Sequence, residues 1–141
     1  MAKNTGKDAE EEFVEHWTRL GKKAVVFPLY DAAYMRGLNK GKHVNAPKQP
    51  SDYLVTYDGH THYAEVKSTE NPTAFPFKML RTNQWGAALK VMAASGHYRV
   101  YAKNMLTGAW YCIPAKFIQY RKEVGYESVK WDALHDFIWE C

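Results

Sequence analysis

The chain has 141 residues, of which 46% are hydrophobic and 24% are charged, and its formal net charge is +4. This composition predicts one globular domain over residues 1–141, large enough to bury a core of its own. No apolar stretch approaches the roughly 20 residues of a membrane-spanning helix, and the first residues lack the apolar segment of a secretory signal, so we expect no membrane association.

The predicted elements begin with an amphipathic helix at residues 6–20, where apolar side chains recur at helical spacing. A short apolar run at residues 24–29 predicts a strand. Residues 31–50 carry glycines, prolines and lysines without periodicity, which predicts a long loop of the kind that is usually functional or disordered. Residues 52–68 alternate apolar and polar side chains around an Asp58-Gly59 pair, which predicts a β-hairpin.

The remaining residues are predicted to contain three helices and three strands. The helices are residues 82–94 with Thr82 as N-cap, a short one from Pro114 to Gln119, and a terminal one capped by Asp132 that contains Leu134, Phe137 and Ile138. The strands are residues 98–102, 109–113 and 128–131. This order predicts an α/β fold with a central mixed β-sheet flanked by helices.

Charged side chains lie on the hairpin, where a half-buried strand tolerates them poorly. Glu65 and Lys67 share one face of their strand, and Asp52 enters on the neighbouring strand alongside Glu65. Two carboxylates held close in partial burial are stable in their ionised form only with a cation between them, and oxygen ligands suit Mg²⁺ or Mn²⁺. Lys67 can then orient a water or stabilise a phosphorane-like transition state, so the pattern predicts metal-assisted phosphodiester hydrolysis. The alternative interpretation is a structural ion pair on an exposed edge.

Helical phase adds a further carboxylate. Glu10 shares the buried face of Phe13 and Trp17, so it is expected to point into the protein, toward the hairpin. The alternative is a preference for the positive N-terminal end of the helix dipole, which accounts for Glu11 and Glu12 better than for Glu10.

The basic residues are concentrated in long segments. Residues 71–122 and 32–51 contain no acidic side chain, which suggests a polyanionic partner, nucleic acid first, although a solvated basic face without a partner is the alternative. The candidates for phosphate contacts are Arg36, Lys40, Lys42, Lys48, Lys78 and Arg81.

Weaker signals concern histidine, cysteine and tryptophan. His60 and His62 are predicted to be turn and surface residues, since a zinc site needs further soft ligands. Cys112 is expected to be a small buried apolar group, and with Cys141 it forms neither a CxxC pair nor a disulfide framework, so we expect a reducing, cytoplasmic setting for a cellular or virus-encoded protein. The tryptophans expected to anchor the core or a dimer interface are Trp85, Trp110, Trp131 and Trp139.

Together these motifs resemble the PD-(D/E)-x-K nuclease superfamily and, within it, the Holliday junction resolvases of the archaeal and RecU-like types. GKDAEEEFV, which begins at Gly6, is similar to the first helix of the archaeal resolvases. PSDY and AEVKST, which begin at Pro50 and Ala64, look like the second and third motifs. The serine between proline and aspartate is similar to the RecU-type branch, as is FPFKMLRTNQ up to Gln84. The resemblance covers about residues 6–103.

The resemblance implies a restriction-endonuclease-like core and a metal-dependent endonuclease that acts as a symmetric homodimer on four-way DNA junctions. Each protomer would nick one strand. The implied metal ligands are Asp52, Glu65, the carbonyl of Val66 and, directly or through water, Glu10. Lys67 would act on the attacking water or the scissile phosphate, and Gln84 would help to position water or phosphate.

The loop after the first strand departs from the family pattern. These families place a small polar residue there, whereas this chain reads LYDAAYMRG and leaves Asp31 as a candidate without support. Tyr34, Met35 and Leu38 are expected either to probe an open junction centre or to pack against a dimer partner.

Two other functions remain open from the sequence. The same catalytic core could serve a repair, restriction-like or flap nuclease, because substrate choice lies in loops and dimer geometry. A non-catalytic DNA-binding module is disfavoured, because clustered carboxylates repel DNA unless a metal lies between them.

Overall fold

The computed structural model of the protein describes residues 5–30 and 48–140. The strands are β1 (Ala24–Pro28), β2 (Tyr53–Tyr57), β3 (His60–Thr69), β4 (Ala74–Pro76), β5 (Tyr98–Asn104), β6 (Trp110–Pro114), β7 (Ser128–Lys130) and β8 (Ile138–Trp139). The helices are α1 (Thr5–Thr18), α2 (Thr82–Ala93) and α3 (Ala115–Glu123), with 3₁₀ turns at Gly21–Lys23, Phe77–Met79 and Trp131–Phe137. The predictions for Asp31, Tyr34, Met35, Arg36, Leu38, Lys40 and Lys42 lie outside the described residues.

Six of the described strands form one mixed sheet in the order β1-β2-β3-β5-β6-β8. The β3–β5 pair is parallel and the other pairs of this sheet are antiparallel. Strands β4 and β7 form a separate two-stranded sheet. This arrangement confirms the predicted α/β fold, a central mixed sheet flanked by helices.

The hairpin of β2 and β3 turns where the sequence predicts it. Asp58 and Gly59 have positive φ angles of 52° and 77°, the conformation that a tight two-residue hairpin turn requires and that aspartate and glycine tolerate best. The β2–β3 ladder ends at the pair Tyr53↔Ala64, whereas β3 continues to Thr69. The site described below lies where β3 runs past the start of β2.

Each side of the sheet has its own core. On one side α1 buries Phe13 and Trp17 against Val55, Ala64 and Tyr101. On the other side, residues of α2 and α3 pack against β5 and β6 in a cluster that includes Ala88, Ile118, Val100 and Ile113. Because Ala64 and Val66 face α1, the intervening Glu65 faces the α2 side.

The ends of α2 and of the chain differ from the prediction. The residue that caps α2 is Arg81 rather than Thr82, and its N–H donates to Oε1 of Gln84 at 2.9 Å. The predicted terminal helix is present as a 3₁₀ helix at Trp131–Phe137, which contains Leu134 and Phe137. Its cap is Lys130 rather than Asp132, and Ile138 lies outside it in β8, where it pairs with Tyr111.

His62 also contradicts the prediction of a surface role, whereas His60 is exposed as expected. The His62 side chain is 3% exposed and its Nε2 hydrogen-bonds the Tyr101 hydroxyl at 2.8 Å. Burial lowers the pKa of His62 to about 3, so the imidazole is a neutral part of the core beneath α1.

The tryptophans are core residues, as expected. Trp110 and Trp131 are buried, and Trp85 and Trp139 pack against the same clusters. Across residues 5–30 and 48–140, no helix has the length and apolar character needed to span a bilayer.

Candidate active site

The carboxyl groups of Asp52 and Glu65 meet where β2 begins and β3 continues. The Val66 N–H donates to Oδ2 of Asp52 at 2.9 Å, and the Asp52 N–H donates to Oε1 of Glu65 at 3.1 Å. The two carboxyl groups also lie close enough for the charge of Asp52 to raise the pKa of Glu65. Because the ladder has ended at Tyr53↔Ala64, these backbone donors are available to hold the carboxyl groups. The structure therefore brings together the two acids that the sequence singled out.

Burial makes this pair difficult to ionise. Glu65 is 1% exposed, and its pKa is raised to about 8, first by burial and then by the charge of Asp52. Burial also raises the pKa of Asp52. Without a cation the pair therefore retains a proton near neutral pH, and a divalent ion bound between the oxygens would stabilise the fully ionised form.

Lys67 lies on the same face of β3 as Glu65, as predicted. Its Nζ is 3.2 Å from Oε2 of Glu65, and the side chain is 16% exposed. The ammonium lowers the pKa of Glu65, but less than burial and Asp52 raise it. A largely buried cation beside the acids can donate to an anionic oxygen or to a water.

Glu10 reaches the site from α1. Its Oε1 accepts a hydrogen bond from the Tyr53 hydroxyl at 3.4 Å, and the Tyr53 ring packs on Phe13 with centroids 5.2 Å apart. Its pKa is raised by burial and then by Asp52, so the helical carboxylate lies within electrostatic reach of the hairpin acids. This is the orientation that helical phase predicts.

The neighbouring glutamates have other environments. Glu11 is exposed, whereas Glu12 forms an ion pair with Lys103 and accepts a hydrogen bond from Nε1 of Trp110 at 3.1 Å. These contacts join α1 to β5 and β6. The three consecutive acids therefore have three different environments.

The site offers oxygen donors for a hard cation. Within the described part of the chain, no three side chains of His, Cys, Asp or Glu converge closely enough to hold a metal. The oxygens available to a cation are those of the Asp52 and Glu65 carboxyl groups and the carbonyl of Val66, which lies on the same strand edge as the Val66 N–H that donates to Asp52. Such a partial set suits Mg²⁺, which usually keeps several waters.

Asp52 and Glu65 line an open cleft of about 240 Å³. Two cationic residues, Lys48 and Arg81, line it. Burial raises the pKa of Asp52, and the charge of Arg81 offsets a small part of that rise. Gln84 also lines the cleft, with its Oε1 engaged by the Arg81 N–H. The other lining residues are Leu29, Tyr30, Gln49, Ser51 and Asn83.

The candidate phosphate contacts therefore divide into groups. Lys48 and Arg81 lie at the acidic cleft, and Lys78 lines a different cleft. Arg36, Lys40 and Lys42 lie in the part of the chain that the structure does not describe.

Sequence reasoning missed the residues that fix the PSD segment. Ser51 is 4% exposed, and its hydroxyl donates to the Tyr53 carbonyl at 2.8 Å. The Tyr98 hydroxyl donates to the Pro50 carbonyl at 2.6 Å. The position of Ser51 inside the motif was a usable signal. The contact from Tyr98 spans 48 residues and leaves no local pattern.

These features define a restriction-endonuclease-like α/β fold with an acidic pair and a lysine at the end of a hairpin. No protein-family model matches the sequence, and no curated protein matches it. Among solved structures, the fold is similar to that of Hjc, a Holliday junction resolvase from the archaeal hyperthermophile Archaeoglobus fulgidus. The TM-score is 0.52 at 10% sequence identity, and the match covers 80% of this chain and 75% of that one. At this identity the likeness shows the fold alone.

Proposed function

We propose that the protein is a metal-dependent, structure-specific endodeoxyribonuclease that resolves four-way DNA junctions by paired symmetric nicks. The observation that carries this proposal is the convergence of Asp52 and Glu65 in one cleft with cationic walls, with Lys67 paired to Glu65. The fold shared with a Holliday junction resolvase supports the choice of substrate.

The donor set fits Mg²⁺, with Mn²⁺ as a substitute. Asp52, Glu65 and the Val66 carbonyl would hold the ion. Glu10 would contribute through a water, because no third acidic side chain of the described residues converges with Asp52 and Glu65. When bound, such a cation polarises the phosphate and lowers the pKa of a coordinated water.

The remaining groups position the reactants. Lys67 would donate to the attacking water or to a phosphate oxygen, where its charge stabilises the developing negative charge. Gln84, whose carbonyl end is fixed by the Arg81 N–H, would present its amide nitrogen to water or phosphate. Lys48 and Arg81 would hold the flanking phosphates.

Paired nicks require two active sites. A four-way junction has two-fold symmetry, and a homodimer with C2 symmetry presents two equivalent sites to it. We therefore propose that the protein acts as a homodimer on DNA.

A cleavage assay on four substrates tests this function. The protein would be incubated with a synthetic four-way junction, a matched duplex, a flap and a single strand, each with Mg²⁺ or EDTA. We expect symmetric paired nicks in the junction only, and only with Mg²⁺. Equal cutting of the linear duplex would contradict junction specificity and would favour a nuclease of another class with the same catalytic core. A strict monomer in the presence of junction would contradict paired cleavage.

Variants test the site within the same assay. We expect Asp52→Asn and Lys67→Ala each to slow cleavage by at least about a hundredfold while junction binding in EDTA is largely kept. The matched control is Glu15→Gln, a change of charge on the exposed side of α1, where Glu15 pairs only at the surface with Arg19. Normal cutting by either site variant would show that the assignment is wrong.

A further inference from the structure

A second cleft lies apart from the acidic one and shares no lining residue with it. Its volume is about 540 Å³, and it is lined by Pro76, Phe77, Lys78, Lys122, Tyr126 and Glu127. The proposed cleavage reaction makes no use of this cleft. Its lining combines an exposed aromatic ring with two lysines.

The walls of this cleft are fixed by backbone contacts. Pro76 of β4 pairs with Ser128 of β7, and the Phe77 N–H donates to the Glu127 carbonyl at 2.9 Å. The segment that follows β4 is thus tied to the segment that precedes β7. The cleft is therefore formed before any ligand arrives.

The end of α3 places Tyr126 at this cleft. The Tyr126 N–H donates to the Arg121 carbonyl at 2.9 Å, and the Gly125 N–H donates to the Lys122 carbonyl at 3.1 Å. With the positive φ of 100° at Gly125, these bonds form a Schellman motif, which fixes the direction of the chain after a helix.

Contacts of the Tyr126 ring hold it in an exposed position. The Arg121 guanidinium lies 4.7 Å from the centroid of the Tyr126 ring and 5.4 Å from that of Phe117. Tyr126 is nevertheless 53% exposed. An aromatic surface of this kind is pre-organised for stacking.

The charges at the cleft favour an anionic ligand. Lys122 is held with its Nζ 4.9 Å from the centroid of the Trp85 ring, and Lys78 is exposed. Glu127 is the opposing charge among the lining residues. Two lysines beside one exposed ring are the combination that binds a phosphate backbone and stacks a base.

We propose that this cleft binds unpaired nucleotides of DNA, with one base stacked on Tyr126 and the flanking phosphates held by Lys78 and Lys122. The inference rests on the proposed function in taking DNA as the ligand. It deepens that function by making unpaired nucleotides part of the recognised substrate. A base in a continuous duplex is stacked on its neighbours and cannot occupy the cleft.

Binding of a labelled ten-residue oligothymidylate in EDTA, followed by fluorescence anisotropy, tests this site. Tyr126→Ala is expected to weaken binding by about tenfold, and Tyr126→Phe, which keeps the ring, to change it by less than about twofold. Tyr126→Leu, which keeps apolar contact with Arg121 but has no aromatic face, should behave like Tyr126→Ala. Wild-type affinity in both Tyr126→Ala and Tyr126→Leu would overturn the proposal.

The charges give an independent readout. Lys78→Ala and Lys122→Ala should each weaken binding and reduce its salt dependence by about one phosphate contact, whereas Glu127→Gln should tighten it. An unchanged salt dependence in both lysine variants would contradict phosphate contacts at this cleft. With a blunt duplex of the same length, Tyr126→Ala should have little effect, and an equal effect on duplex would contradict stacking of an unpaired base.

The outcome is separable from that of the proposed function. Junction cleavage would be measured on the same preparations. If wild type resolves junctions and Tyr126→Ala binds oligothymidylate normally, this inference fails and the function stands. If wild type cuts no DNA and Tyr126→Ala still loses oligothymidylate binding, the function fails and the second site stands.

Discussion

Glu65 is the side chain whose surroundings best separate a catalytic role from a structural one. A structural ion pair with Lys67 would lower the pKa of Glu65, and Lys67 does act in that direction. Burial and the charge of Asp52 nevertheless dominate and raise the pKa to about 8. The lysine therefore does not neutralise the pair of acids. Perturbed carboxyl groups of this kind cluster at functional sites.

The raised pKa of Glu65 predicts how stability depends on pH. Between the ordinary value of 4.5 and the folded value of about 8, the folded protein binds more protons than the unfolded chain. The contribution of protonated Glu65 to the stability of the folded protein is therefore fully present below pH 4.5 and is lost as pH rises toward 8. In EDTA, we expect the free energy of unfolding of wild type, relative to Glu65→Gln, to fall by on the order of a few kcal/mol from pH 5 to pH 8.

Urea unfolding at several pH values measures this difference. Mg²⁺ at pH 8 should raise the stability of wild type and leave Glu65→Gln little changed, because the variant lacks one of the paired carboxylates. A difference between the two proteins that is constant with pH would show that Glu65 is not protonated in the folded state.

Other single residues show where sequence reasoning stopped. His62 lies on the same strand face as Ala64 and Val66, so alternation along β3 contained a usable signal for its burial. Glu12 offered no such signal, because Lys103, its partner, lies 91 residues away. Contacts of this range depend on the fold and cannot be derived from local periodicity.

At the scale of elements, α1 determines which of its acids reaches the site. Phe13 and Trp17 are buried against the sheet, and Glu10 lies on that side of the helix next to Tyr53. The adjacent Glu11 is exposed. Adjacent residues of a helix point in different directions, so Glu10 is a candidate metal ligand whereas Glu11 is a surface acid.

Paired substitutions on α1 test this assignment. Glu10→Gln is expected to slow junction cleavage by about tenfold or more, because the proposed metal shell loses a charge. Glu11→Gln removes the same charge one residue away and should cut at close to the wild-type rate. Matching rates for the two variants, measured on the junction with Mg²⁺, would exclude a role for Glu10.

Some secondary-structure elements could be predicted from local sequence patterns, and others could not. The hairpin and α1 were predictable because an Asp-Gly turn and helical spacing are strong signals within short windows. The β4–β7 sheet was missed, since β4 has three residues that end in proline. The terminal helix is a 3₁₀ helix that begins before Asp132 and excludes Ile138. The sequence did not indicate its type, because a spacing of three residues, as between Trp131 and Leu134, suits burial by a 3₁₀ helix as well as by an α-helix.

At the scale of the whole molecule, the candidate site draws on three parts of the chain. Glu10 comes from α1, the acidic pair and Lys67 from the hairpin, and Gln84 from the first turn of α2. The sequence motifs indicated these residues. The structure was needed to show three further features. These are the backbone N–H groups that donate to the acids, the Gln84 side chain whose Oε1 accepts from the Arg81 N–H, and the second cleft. Spacing along the chain does not reveal contacts of this kind.

The central claim is that Asp52 and Glu65 share one divalent cation. The most direct measurement is the anomalous diffraction of crystals of the protein grown with Mn²⁺. We expect a strong peak within coordination distance, about 2.0–2.3 Å, of an oxygen of each carboxylate. A peak that contacts neither carboxylate, or the absence of any peak in this cleft at saturating Mn²⁺, would contradict it.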